Sequence, residues 1–172
     1  MKVYLLGFMG SGKSTVGRLL ADQMKLDFID FDRYIEQETG KTIAELFDSG
    51  GEDKFRELEH LHLKKILSKD NVVIALGGGT PCFHDNMNLI QANGKSVYLK
   101  VDAEILLKRL IKGKAKRPLI RDLNETELKH FIEDRLAKRI SYYSKADFTL
   151  QVGKMETKEV TYEVYKIASK KA

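Results

Sequence analysis

A single cysteine, Cys82, stands in the 172 residues. One thiol excludes an internal disulfide and points to a reducing compartment. It lies beside a Gly-rich turn and reads as a small filler, not a nucleophile. No apolar run approaches the roughly 20 residues that a membrane-crossing helix requires. The opening "MKVYLLGFMG" is too short for a signal-peptide core. His60, His62, His84 and His130 show no metal-ligand spacing with Cys82. There is no repeat, no low-complexity tract and no linker. The expectation is one cytoplasmic domain, a monomer with no membrane partner.

Charge is not one-sided. Thirty Lys and Arg stand against 25 Asp and Glu, a net charge of +5. The lysines alternate with acids on helix faces, which reads as a solvated surface and suits an acidic small molecule as well as a polyanion. Tyr4, Tyr98 and Phe28 fall in strands as core residues and are not spaced as a base-stacking platform, so no nucleic-acid partner is expected.

What is present is an alternation of short apolar runs with longer helical ones. Strands are expected at 3–6, 27–30, 71–76, 96–101 and 147–152. Helices are expected at 13–24 (stripe Val16, Leu19, Leu20), across 31–39 and 42–50 with breaks at Gly40 and Gly50–Gly51, and at 52–68 with Phe55, Leu58, Leu61, Leu63, Ile66 and Leu67 on the apolar side. Further helices follow at 85–93, at 102–111 with Asp102 as cap, at 124–146 with an Asn124–Glu127 capping box, and at 155–171. Uninterrupted strands such as "VVIAL" suit a sheet covered on both faces. The pattern predicts an α/β fold with a five-stranded parallel sheet between helices.

The first strand runs into "GFMGSGKST", Gly7 to Thr15. Gly7-x4-Gly12-Lys13-Ser14 is a full P-loop match in its confirming context, after a strand and before a helix. Gly7, Gly10 and Gly12 allow a tight turn whose N–H groups face a polyphosphate, and the helix adds its N-terminal dipole. Lys13 can reach the β- and γ-phosphates, and the Ser14 hydroxyl can ligate Mg²⁺. The nucleotide cradle is therefore read as Gly10, Ser11, Gly12, Lys13, Ser14 and Thr15. This establishes a nucleoside triphosphate without separating a kinase from a GTPase or an ATP-driven switch. No "NKxD" guanine signature is present.

The second strand ends in "DFD". Alternation along an extended segment places Asp30 and Asp32 on one face, and the strand is expected beside the first, projecting both toward the γ-phosphate. One carboxylate can hold Mg²⁺ through water, and the other can orient or deprotonate an attacking hydroxyl. Asp32 also reads as a helix cap before "RYIEQE".

Taken together, "GFMGSGKST", "DFD", "ELF…GGEDKFRELE", "LGGG", "KRPLI" and "RISYYSKAD" resemble shikimate kinase, in the family's order and over residues 1 to about 150. The resemblance implies ATP-dependent phosphorylation of the 3-hydroxyl of shikimate, with Mg²⁺, in aromatic amino acid biosynthesis. It implies that Asp32 contacts the reacting hydroxyl and that Asp30 reaches Mg²⁺ through water. Arg56 and Arg139 would grip the substrate carboxylate, with Arg135 as the alternative to Arg139. Gly78 and Gly79 would offer backbone contacts, Glu59 would steady Arg56, and Phe47 and Phe55 would line the pocket. Arg117 would be the lid arginine on the ATP phosphates, and Arg109 an adenine-side contact. Within one kinase domain, about 32–60 would bind substrate and about 112–123 would form the lid.

The chemistry of the residues agrees. A polyol carboxylate needs fixed cations for its carboxylate, which the planar fork of arginine supplies bidentately, and fixed acceptors for its hydroxyls. The alternatives are a gluconate or nucleoside monophosphate kinase, which also pair a P-loop with a basic lid, and a non-catalytic ATP-binding module. The last has no physical need for Lys13, Ser14, Asp32 and Arg117 together.

Overall fold

In the computed structural model, which describes residues 1–114, 117 and 119–170, five strands form one parallel sheet. They are β1 (Lys2–Leu6), β2 (Asp27–Asp30), β3 (Val72–Ala75), β4 (Lys95–Lys100) and β5 (Phe148–Gln151). The spatial order is β2-β3-β1-β4-β5. β2 does not lie beside β1, contrary to the expectation from the sequence. β3 sits between them, pairing Tyr4 with Ile74 and Phe28 with Val73. The central positions go to β1 and β3, whose residues are buried throughout, while the polar-flanked β2 takes an edge.

Side chains alternate across the sheet and feed two cores. Val3, Leu5, Val73, Val97 and Leu99 enter one, with α1 (Lys13–Met24), α5 (Ala103–Gly113), the first half of α6 (Glu125–Tyr143) and α7 (Thr157–Ser169). Tyr4, Leu6, Val72, Ile74 and Tyr98 enter the other, under α2 (Phe31–Thr39), α3 (Ile43–Ile66) and α4 (Asn86–Asn93). Each fully buried aliphatic side chain contributes about 1.5–3 kcal/mol.

Details depart from the sequence pattern where packing overrides it. In α1 the stripe runs through Val16, Gly17, Leu20 and Ala21, and Leu19 is largely exposed. Gly17 is needed because a Cβ there would stand 2.7 Å from the Phe28 ring, so α1 presses directly on β2. In α3 Leu61 faces solvent. The two helices expected around Gly50–Gly51 are one run with a break at Gly51, φ 73° and ψ 178°. Asp102 precedes α5 but makes no capping bond, its Oδ1 accepting instead from Gln151 Nε2 at 3.1 Å. The Asn124–Glu127 box forms as expected, with both reciprocal bonds present. Among the described residues no helix is long and apolar enough to cross a membrane.

Candidate active site

The P-loop joins β1 to α1 at the carboxyl edge of the sheet, where open α/β folds bind ligands. Gly10 and Gly12 take φ of 80° and 96°, which glycine adopts at least cost. Lys13 folds back over the loop, its Nζ donating to the carbonyls of Gly7 at 2.8 Å and Phe8 at 2.9 Å. Burial pulls its ammonium down to about 8, against the opposing pull of Asp32 and Asp30. A lysine ammonium carries three donors, so one is left for a phosphate.

A cavity of about 430 Å³ opens beside this loop. Gly10, Gly12, Lys13, Ser14 and Thr15 line one side. Asp30, Asp32 and Gly78 line another, and Arg109 and Arg117 close it from α5 and the segment after it. Arg109 Nη1 donates to Gly10 O at 3.2 Å, and Arg117 Nη1 to Gly113 O at 2.8 Å. Ser11 is not brought to the cavity. Its N–H donates to Phe8 O, and its hydroxyl is buried against Gly7 without a partner among the described residues. Of the expected lid, Ala115, Lys116 and Pro118 lie outside the described residues. Ile120 is fully buried in the core, and Lys114 Nζ donates to Leu123 O at 2.8 Å.

The two aspartates reach the cavity by a different route from strand alternation. β2 stops at Asp30, and Asp32 belongs to the first turn of α2. Asp30 is the N-cap, accepting from Arg33 N at 3.4 Å, so the capping role considered for Asp32 belongs to Asp30. Asp32 lies over the turn after β3, with Oδ1 2.6 Å from where a Cβ on Gly77 would be. Burial first, then the carboxylates of Glu59 and Asp30, push its carboxyl up to about 6. That places its ionisation near neutral pH, where a general base works best.

Ser14, exposed at the cavity beside Asp30 and Asp32, completes a hard oxygen set suited to Mg²⁺. Among the described residues there is no group of three or more His, Cys, Asp or Glu able to hold a metal. A hydroxyl and two carboxylates fit an ion whose remaining ligands are phosphate oxygens and water.

Arg56 is buried, and each of its three guanidinium nitrogens donates to a carboxylate. Nη1 donates to Glu59 Oε2 at 2.9 Å, while Nε and Nη2 donate to Glu52 Oε1 at 3.3 and 3.1 Å. Its guanidinium packs on the rings of Phe83 at 4.3 Å, Phe55 at 5.1 Å and Phe47 at 5.7 Å. Glu59 is itself held by the Thr80 hydroxyl at 2.5 Å.

Arg139 lies opposite, over the Phe8 ring at 5.7 Å. One turn on, Tyr143 donates from its hydroxyl to Gly78 O at 2.5 Å, fixing the glycine turn against α6. Arg139 lines a second cavity of about 330 Å³ together with Glu52, Phe83 and Cys82. Arg135 lines it too, packed on Phe131 at 5.1 Å, so both candidate arginines of α6 face one space. Arg56 lines neither cavity, lying behind Glu52 and Phe83. Burial pushes the Cys82 thiol up to about 11, which keeps it protonated and a poor nucleophile.

Sequence reasoning missed Glu52, Thr80 and Phe83. The (i, i+4) spacing of Glu52 and Arg56 was a usable signal. Thr80 and Phe83 arrive from the turn after β3, and no local spacing announces them.

The family model described as shikimate kinase matches residues 9–168. A shikimate kinase of Azobacteroides pseudotrichonymphae is 42% identical over 160 residues, covering 92% of this chain and 94% of its own. The structure of shikimate kinase from Bacteroides thetaiotaomicron superposes with a TM-score of 0.92 at 36% identity, covering 97% of both chains. That of Acinetobacter baumannii shikimate kinase in complex with shikimate gives 0.88 at 32% identity, covering 96% of this chain and 91% of the other.

Proposed function

We infer the division of labour in this site from one premise: the chain belongs to the shikimate kinase family, and it is an enzyme that phosphorylates the 3-hydroxyl of shikimate with ATP and Mg²⁺ in aromatic amino acid biosynthesis. The observation that carries the assignment of roles is Asp32, a carboxyl held near 6 in the same cavity as Lys13 and Ser14.

In this reading Asp32 accepts the proton of the attacking hydroxyl as the O–P bond forms and the bond to the leaving ADP breaks. Lys13 and Arg117 neutralise charge on the phosphoryl oxygens, which is most of what phosphoryl transfer asks of a protein. Gly10, Gly12 and Thr15 shape the cradle, with Ser11 holding the loop's turn through its backbone. Ser14 directly, and Asp30 through water, would hold Mg²⁺, which when bound supplies Lewis-acid charge neutralisation. Arg56 and Arg139 anchor the acceptor's carboxylate, and the Gly78 and Gly79 backbone lies beneath it. Residues of about 32–60 form the substrate-binding segment and about 112–123 the lid, with Ile120 as its anchor. We further propose a monomer in the cytoplasm, the latter supported by the single cysteine, a free thiol.

The test is ADP release screened over shikimate, gluconate and nucleoside monophosphates. Turnover should appear with shikimate alone, and should fall about 10²-fold or more in Asp32→Asn. Turnover of Asp32→Asn at the wild-type rate would remove the base.

A further inference from the structure

We propose that Glu52 is a placeholder carboxylate: it occupies the anchoring edge of Arg56 when no acceptor is bound, and the acceptor's carboxylate must displace it. The proposal rests on the reading above, in which Arg56 anchors that carboxylate.

Arg56 offers five N–H donors. Glu59 takes one edge through Nη1. The other edge, Nε and Nη2, is spent entirely on the single oxygen Oε1 of Glu52. That is one of the edges from which a guanidinium presents two parallel donors to an incoming carboxylate. Phe83 packs on the guanidinium at 4.3 Å. Glu52 lines the cavity of Arg139 and Arg56 does not, so the acid stands between the buried cation and the space where a ligand arrives.

The two carboxylates on Arg56 are not equivalent. Glu59 is 1% exposed and pinned by Thr80, so it stays. The Glu52 side chain is 45% exposed, and Arg56 is its only hydrogen-bond partner among the described residues. A half-exposed ion pair of this kind is weak and easily exchanged with solvent. It follows the break at Gly51, so the residue sits at the start of a helical segment and not inside a continuous one. The physical need is plain. A cation this deeply buried is costly with an edge unpaired, and Glu52 covers that edge until a substrate does.

This differs from a role in positioning Arg56, which would make loss of Glu52 harmful to binding. Competition makes its loss favourable. Calorimetry with shikimate and its neutral methyl ester tests it on wild type, Glu52→Gln, Glu52→Ala, Arg56→Ala and the Glu52→Gln/Arg56→Ala pair. We expect both Glu52 variants to bind shikimate about threefold to tenfold tighter, in keeping with the modest worth of a pair whose acid is half in water. The ester should be indifferent to Glu52, and the gain should vanish when Arg56 is absent. Glu52 variants that bind shikimate equally or more weakly, while Arg56→Ala is impaired, would overturn the placeholder and leave the anchor intact. A gain that persists without Arg56 would also overturn it, reducing Glu52 to general charge repulsion. Wild-type shikimate affinity in Arg56→Ala would instead overturn the anchor itself, and the placeholder with it.

Discussion

The guanidinium of Arg56 occupies the space that a side chain on Gly79 would need. A Cβ built there would stand 2.5 Å from Nη2 and 2.6 Å from Nη1. Gly79 has φ of −92°, so the glycine is required by close approach and not by backbone strain. Gly78 stands in a milder version of the same relation to Arg139, with Nη1 at 3.1 Å. The glycine turn is thus the floor on which both arginines rest.

Gly79→Ala should therefore fold and lose acceptor binding. The methyl group must push Arg56 off Glu59, and a misplacement of about 1 Å can cost on the order of 10²-fold in rate. We expect kcat/KM for shikimate to fall about 10- to 100-fold with KM for ATP nearly unchanged. Gly78→Ala should be milder. Equal steady-state constants for Gly79→Ala and wild type would show that Arg56 can move without consequence.

Asp32→Asn should be more stable than wild type at neutral pH although its turnover falls. An unfolded aspartate ionises near 3.9, whereas Asp32 in the fold does so only near 6. Between those values the folded state holds a proton that the unfolded chain has released. Stability therefore falls as pH rises from about 4 to 6, and the loss persists above that. The variant escapes a penalty on the order of 2–3 kcal/mol. Thermal melts should place it several degrees above wild type at pH 7.5 and level with it near pH 3.5. The opposite order at pH 7.5 would mean that the Asp32 carboxylate is stabilised by its surroundings.

Two limbs should appear in the pH–rate profiles. Asp32 must be ionised, so the rate measured with MgATP well below its KM, which reports the free enzyme, should fall below about pH 6. Lys13 must be charged, so kcat/KM for MgATP, which reports the free enzyme, should fall above about pH 8. Glu59→Gln should move the acid limb downward, because after burial Glu59 is the main influence raising Asp32. An acid limb unmoved in Glu59→Gln would dissociate the limb from Asp32.

Asp30→Asn should keep the fold, since asparagine caps a helix as well as aspartate and the bond from Arg33 N can persist. Its loss of turnover should be recovered in part by raised Mg²⁺, as its role runs through the metal's water. Asp32→Asn should not be recovered. Kinetics of both variants across a Mg²⁺ series decide the matter, and rescue of Asp32→Asn alone would exchange the two assignments.

The sequence by itself determined what depends on neighbours along the chain. Gly7 to Thr15 between a strand and a helix is a phosphate loop because turn, lysine and hydroxyl lie within a few residues. Alternating strands and helices, the breaks at Gly40 and Gly51 and the Asn124–Glu127 cap are legible for the same reason. The carboxylates and arginines could be named, but not how they meet. Only the tertiary structure put β3 between β1 and β2, which inserts the turn of Gly77 to Thr80 between the P-loop and Asp32. Only there do Thr80 and Phe83 reach the Arg56 cluster, and only there does Glu52 close it off from the cavity. The tuning of Asp32 and Lys13 arises at the same level. Apart from Asp30 acting on Asp32, the through-space charge comes from residues distant in sequence, and the fold brings them together where it also excludes water.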